Sequence, residues 1–270
     1  MTKEDKEEDA SSSVVVLPDA LSWAAMGTTV TLLTNGAPKW WDMAHDCRAL
    51  VAELEAVFSR FQPDSELNRF IRAEVIYPSE TLLNVLKAAE IARMETAGAF
   101  NIQLSPDAPQ FDLGGIAKGY AAEAVRERCR IVGTLGVCVS FGSSSVTTYG
   151  TKSDGAAWRI ALRNPGSERH AAIGTLDLPE NWSLSVSGGD ERGNHIRDPR
   201  TGMPADSDVL QAAVALESGM SAEAWSTALL VLGSAGLELL LRQHPAARAV
   251  LVTAEQVIAT PGWFQLLPSR

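Results

Sequence analysis

The chain has 270 residues, enough for one large domain or two small ones, and its 46% apolar content lets it bury a core without disulfides. Its 23 basic and 33 acidic residues leave a formal net charge of −10, which argues against nucleic acid held by phosphate neutralisation. No apolar run reaches the roughly 20 residues of a membrane span, and the opening residues lack the basic and apolar regions of a signal peptide. A cytoplasmic protein with no membrane anchor is the expectation. The opening MTKEDKEEDASSS is acidic and nearly free of apolar residues, so residues 1–14 are expected to be a disordered tail ahead of one domain over 15–270. Cys47, Cys129 and Cys138 form no CxxC pair and are odd in number, which reads as reduced, structural thiols.

In chain order, WAAMGTTVTLLT (23–34) alternates and is rich in Thr and Val, predicting one strand, followed by a turn at NGAP (35–38). Apolar residues at helical spacing predict a helix over 39–60. Pro63 and Asp64 end it, and Asp64 or Ser65 caps a short helix in FQPDSELNRF. A second amphipathic helix spans 78–98, with Ser79 as cap and Gly98 as stop. FDLGGIAKGYAAEAV (111–125) is a tight turn opening into a helix, with Lys118 in its first turn; such an opening offers free N–H groups and a favourable dipole to an anion. A strand hairpin follows at 135–150, then strands at 158–162, 173–178 and 182–188 and an irregular polar stretch at 189–204. A strand at 209–216, a helix at 221–233 and a strand at 249–255 complete an α+β reading: antiparallel sheets flanked by helices.

Three polar islands carry the chemistry. Asp112 to Lys118 is the first. Glu223 and Thr227 are the second, at i and i+4 on one helix face, a carboxylate and a hydroxyl suited as hard oxygen ligands to Mg2+. The plain alternative is a solvated first-turn acid and a threonine that back-bonds to its helix. In the third, HIRDPRTGMP, Pro199 and Pro204 stiffen a loop that crowds His195, Arg197, Asp198 and Arg200, and Gly202 permits an unusual backbone angle. GGIAKG lacks the Walker glycine placement, and VSFGSSS lacks the GxSxG elbow, so a polar hairpin turn is the better reading there.

Taken in order, MGTTVTL (26–32), FSRFQPDSELNRF (58–70), DLGGIAKGYA (112–121), VSGGDERGNHIRDPRTGMP (186–204) and SAEAWSTALLVLG (221–233) resemble the ApbE family, the FAD:protein FMN transferases. The resemblance implies a T-fold-related single domain. It also implies Mg2+-dependent cleavage of FAD, transfer of FMN to a Thr or Ser hydroxyl of an acceptor protein, and release of AMP. The alternatives are FAD hydrolysis to FMN and AMP, or flavin binding without transfer. By position, the backbone carbonyl of Ala117, Glu223 and Thr227 would hold the metal, and Lys118 would neutralise pyrophosphate charge. His195 would accept the proton of the incoming hydroxyl. Met26, Ser65, Glu66, Leu67, Asp112, Gly115, Lys118, Ser187 and Gly188 would line the dinucleotide. The chain departs from the family pattern in Glu223, where Asp is usual; in FGSSS (141–145), where glycines are usual; in FNIQL (100–104), which lacks an acid and a proline; and in a shortened stretch before Asp112. An altered or more open flavin pocket is the expectation.

Overall fold

The computed structural model describes residues 19–105, 108–165, 171–188, 197–262 and 264–267. The acidic tail expected at 1–14 and His195 lie outside the described residues. The chain enters as a hairpin, β1 (Asp19–Ala25) and β2 (Thr28–Asn35), so the single strand expected over 23–34 is corrected. Met26 and Gly27 take φ of 50 and 71°, the left-handed pair that a tight two-residue hairpin turn requires.

Helices α1 (Trp40–Phe58), α2 (Glu66–Ile71) and α3 (Glu80–Glu95) follow. Ser65 and Ser79 cap α2 and α3, their hydroxyls accepting the N–H groups of Asn68 and Leu82, each at 3.2 Å. Each cap satisfies one of the N–H groups that a helix start leaves without an intrahelical partner. The short strands β3 (Gln103–Ser105) and β4 (Ala108–Phe111) pair with each other just ahead of α4 (Ala117–Ile131). The rest comprises β5 (Gly136–Phe141), β6 (Ser145–Gly150), β7 (Arg159–Arg163), β8 (Ala172–Asp177), β9 (Ser183–Gly188) and β10 (Val209–Leu216), then α5 (Gly219–Leu232) and α6 (Gly236–Gln243). Strands β11 (Arg248–Thr253), β12 (Val257–Ala259) and β13 (Phe264–Leu266) end the described chain.

Among the described residues, an eight-stranded sheet runs β1-β2-β5-β6-β9-β10-β11-β12, every neighbouring pair antiparallel. A second, three-stranded sheet runs β13-β8-β7. The run VLQAAVAL in β10 has Gln211 as its one polar residue. Ala212, Val214 and Leu216 join the core that includes α1, α3, α4 and α5, whereas Ala213 and Ala215 join Leu162 and Leu176 of the small sheet. Successive side chains point to opposite faces, and over residues 212–216 both faces of β10 are covered, so this stretch is apolar without a break. The helical layer includes the two helices that make the site.

Candidate functional site

Asp112 starts the site. Its N–H donates to the Ile102 carbonyl at 2.7 Å, and its Oδ1 accepts the Gly114 N–H at 2.8 Å, folding the chain back on itself. A Cβ on Gly114 would stand 2.9 Å from that oxygen, so a larger residue here would push the Asp112 carboxylate aside. Leu113 and Ile116 are buried and pin the turn to the core, and the Leu113 carbonyl accepts the N–H groups of Ile116 and Ala117. Three N–H groups that the sequence offered to an anion (those of Gly114, Ile116 and Ala117) are therefore used within the turn. Positive charge at this opening comes instead from Lys118, whose ammonium donates to the Gly114 carbonyl at 2.6 Å.

Helix α5 crosses α4 antiparallel at very short range. A Cβ on Gly119 would lie 2.3 Å from the Gly219 carbonyl oxygen, so backbones meet where side chains ordinarily would. Glu123, one turn further along α4, accepts the Gly219 N–H at 2.7 Å, and burial raises its pKa above the usual carboxylate value. This crossing sets Lys118 Nζ 3.5 Å from Glu223 Oε1. It also puts Gly115 beside Thr227, whose Oγ1 would be 3.6 Å from a Cβ at that glycine. Ala117, nearly fully buried, occupies the α4 turn between these contacts.

The plain reading of Glu223 as a solvated first-turn acid is overturned. Ser218 caps α5, which starts at Gly219 rather than 221, so Glu223 falls in the second turn, with only 3% of its surface exposed. Its Oε1 accepts a short hydrogen bond from the Ser145 hydroxyl, and its Oε2 is buried with no hydrogen-bond partner. Nor is Thr227 the residue that back-bonds to the helix. Ser226 does so, donating to the Glu223 carbonyl at 3.0 Å, while Thr227 Oγ1 meets Ser187 Oγ at 3.3 Å. Ser187 and Gly188 close β9 beside this pair, and Gly188, at φ 94°, packs on β10 where a Cβ would meet the Leu210 carbonyl at 2.2 Å. A buried carboxylate oxygen without a partner, the hydroxyl of a partly buried threonine and a neighbouring helix-turn carbonyl form a donor set of oxygens alone, which fits a hard cation. Among the described residues no cluster of three or more His, Cys, Asp or Glu side chains could hold a metal. A site here would therefore depend on Glu223 together with neutral oxygens.

The remaining residues fall into two groups. The β1–β2 turn carrying Met26 and the β5–β6 turn lie at one end of the sheet, joined by the Gly142 N–H to the Thr29 carbonyl at 2.7 Å. Ser145 leaves that second turn toward Glu223. The side chains of Ser65, Glu66 and Leu67 are otherwise committed: Ser65 caps α2, Glu66 accepts from the Ser79 hydroxyl at 2.8 Å, and Leu67 is in the core. Their tie to the site runs through Asn68, whose amide donates to the carbonyls of Ser59, Arg60 and Gln62 and shapes the loop that brings Arg60 to Asp112. Arg60 Nε stands 3.2 Å from Asp112 Oδ2, with both side chains more than a third exposed. Arg60, Ser145 and Ser226 were not picked out by sequence. The Arg60–Asp112 and Ser145–Glu223 pairings come from distant parts of the chain and leave no local pattern. Ser145 did carry one signal, as a hydroxyl where the family pattern has glycine.

The third polar island is only partly described. Residues 197–204 form a tight turn in which Asp198 accepts from the Arg200 backbone and guanidinium, Arg197 donates to the Gly202 carbonyl at 2.8 Å, and Gly202 takes φ 70°. The arginines so held stiffen the turn. Arg200 holds the Asp198 carboxyl below its ordinary value.

A lysine-bearing helix opening set against a buried carboxylate and a hydroxyl, on the helical face of an antiparallel sheet, defines the class: an α+β protein with an ammonium and a carboxylate paired between two helices. Residues 26–109 and 105–251 match the ApbE family model, and the chain belongs to the ApbE family. It is 29% identical over 140 residues to the FAD:protein FMN transferase of Escherichia coli strain K12, covering 48% of this chain and 39% of that protein. It is 30% identical over 169 residues to one from Klebsiella pneumoniae strain 342, covering 59% of this chain and 51% of that one. The matched stretches thus span about half or less of these relatives' length. The fold agrees with the flavin transferase ApbE of Vibrio cholerae at TM-score 0.77 and 23% identity, over 92% of this chain and 96% of that one. The Pseudomonas stutzeri flavinyl transferase ApbE agrees at TM-score 0.78 and 24% identity, over 90% and 94%.

Proposed function

We propose that this chain is a cytoplasmic, Mg2+-dependent transferase that moves FMN from FAD to a Thr or Ser hydroxyl of an acceptor protein and releases AMP. The observation that carries the reading is Glu223: a buried carboxylate with one oxygen unpartnered, facing Lys118 at 3.5 Å. Glu223, Thr227 and the Ala117 carbonyl would hold the cation, which supplies charge neutralisation at the FAD pyrophosphate. Lys118 binds the same phosphates from the α4 side, where fixed charge matters most as charge builds in the transition state. In the transfer, the acceptor oxygen bonds to the FMN phosphorus, the bond to the AMP phosphate oxygen breaks, and His195 takes the hydroxyl proton. Three buried thiols with no disulfide among them support a reducing compartment.

The test is incubation with FAD, Mg2+ and an acceptor protein carrying a flavinylation-type Thr or Ser, followed by mass measurement. An FMN adduct is expected, and His195→Ala should keep FAD binding yet slow transfer by roughly 100-fold, a usual general-base contribution. FMN and AMP without an adduct would make the chain an FAD pyrophosphatase. FAD binding without cleavage would make it a flavin carrier.

A further inference from the structure

Counting hydroxyl protons along β9 and α5 gives the hydrogen bonds around Thr227 a single direction. Ser226 Oγ contacts the Glu223 carbonyl at 3.0 Å, Ser185 Oγ at 2.9 Å and Ser187 Oγ at 2.8 Å. A carbonyl only accepts, so the one proton of Ser226 goes to Glu223 O. A hydroxyl has one proton and two lone pairs. Both other contacts of Ser226 must therefore be donations to it, from Ser185 and from Ser187. Ser187 has then used its proton, and its 3.3 Å contact with Thr227 has to be Thr227 donating. The proton of Thr227 is thus directed into the protein, and both lone pairs of its oxygen are left for a ligand. Ser226 is fully buried, so water does not compete for these bonds.

We infer that Ser226 and Ser187 are positioning residues: a one-way hydroxyl relay that fixes the Thr227 proton inward and presents its oxygen to a cation. The inference rests on the metal reading proposed above. Ser145 does the matching work on Glu223 by occupying Oε1 and leaving Oε2 bare. Without Ser226, the Ser187 proton loses its acceptor and can turn onto Thr227, taking up a lone pair and facing the cation with a positive dipole. Ser185 is the internal control. It makes the same kind of buried hydrogen bond to Ser226 but lies off the path to Thr227.

The experiment is a titration of the purified full chain with Mn2+ alone, without flavin, following free Mn2+ by electron paramagnetic resonance, with melting temperatures alongside. Ser226→Ala should weaken Mn2+ binding by about fivefold or more, the worth of one net hydrogen bond. Ser226→Cys, which keeps a side chain of the same shape but is a poor acceptor, should shift binding in the same direction. Ser185→Ala should lower the melting temperature comparably and leave Mn2+ binding within about twofold, since the bond it removes is worth a similar amount. Superimposed curves for the parent and both Ser226 variants, or equal weakening by Ser185→Ala, overturn the relay and leave the metal assignment standing. A parent that binds no Mn2+ overturns both.

Discussion

Glu223 sits inside the protein with one oxygen met by Ser145 and Lys118 and the other without a partner. Replacing a buried carboxylate that faces an ammonium removes a charge without removing volume. Glu223→Gln is therefore expected to fold and to weaken Mg2+-dependent FAD cleavage by about tenfold or more, the scale of a charged hydrogen bond. Cleavage measured against Mg2+ concentration checks this; superimposed curves for parent and variant would mean that Glu223 does not serve the metal. Glu223→Asp has a different consequence. The shorter acid withdraws from Ser145, and a buried hydroxyl left without its acceptor costs about 1–3 kcal/mol. Ser145→Gly added to Glu223→Asp should recover part of that loss, giving a coupling of at least about 0.5 kcal/mol in a double-mutant cycle of urea melts. Strict additivity would show that the two side chains act independently. At this scale the sequence was legible only where partners are near in the chain. The Ser65 and Ser79 caps rest on residues three positions away, whereas Ser145 finds Glu223 across 78 positions.

Helices α4 and α5 meet through two glycines, and the two are not equivalent. A Cβ at Gly119 would strike the Gly219 carbonyl oxygen at 2.3 Å, a rigid backbone atom, so the helices would have to move apart. A Cβ at Gly219 would meet Gly119 O at 2.9 Å and the Ser183 hydroxyl at 3.1 Å, a smaller intrusion. Gly119→Ala is expected to destabilise by more than about 3 kcal/mol, at the upper end of overpacking costs, and to abolish cation binding; Gly219→Ala should cost less. Thermal melts with Mn2+ titration of the two variants decide the order, and a milder Gly119→Ala would refute the tight crossing. The element pattern of this region was readable in sequence because the paired glycines of GGIAKG precede apolar residues at helical spacing. The start of α5 was not. SAEAW looks like a capped start, but the structure begins the helix two residues earlier, after Ser218. The β1–β2 turn was missed because Met-Gly carries none of the usual turn dipeptides, and only the pairing of Ala25 with Thr28 reveals it. Strands as short as β12 and β13, three residues each, hold too few positions to show a period.

For the molecule as a whole, acidity reports on the interior. Burial raises the Glu123 pKa, with the Gly219 N–H opposing the shift. A carboxyl whose folded pKa exceeds its unfolded value of about 4.3 favours the folded state most below that value, and the advantage is lost as pH rises through the folded value. Glu123→Gln cannot titrate, so the parent should gain stability relative to this variant as pH falls from 7.5 to about 5, a window bounded below by the unfolded pKa. Paired urea melts at the two pH values cancel the other carboxylates; a parent that loses ground at the lower pH would place Glu123 in a charge-stabilising setting. The α+β class and long antiparallel pairing were legible because alternation and helical spacing survive in most elements. The covering of both sheet faces was not, since β10 alone cannot say what lies on either side.

The antiparallel crossing of α4 and α5 also sets an order in time. Lys118 and Glu223 touch across 105 positions (223 − 118), with six strands of the two larger sheets between them in the chain. During synthesis the lysine half emerges well before the carboxylate half, at roughly 5–20 residues per second. Lys118 and Glu223 can therefore meet only once α5 has been made, and a truncated or nascent chain ending before α5 carries Lys118 without its counter-charge.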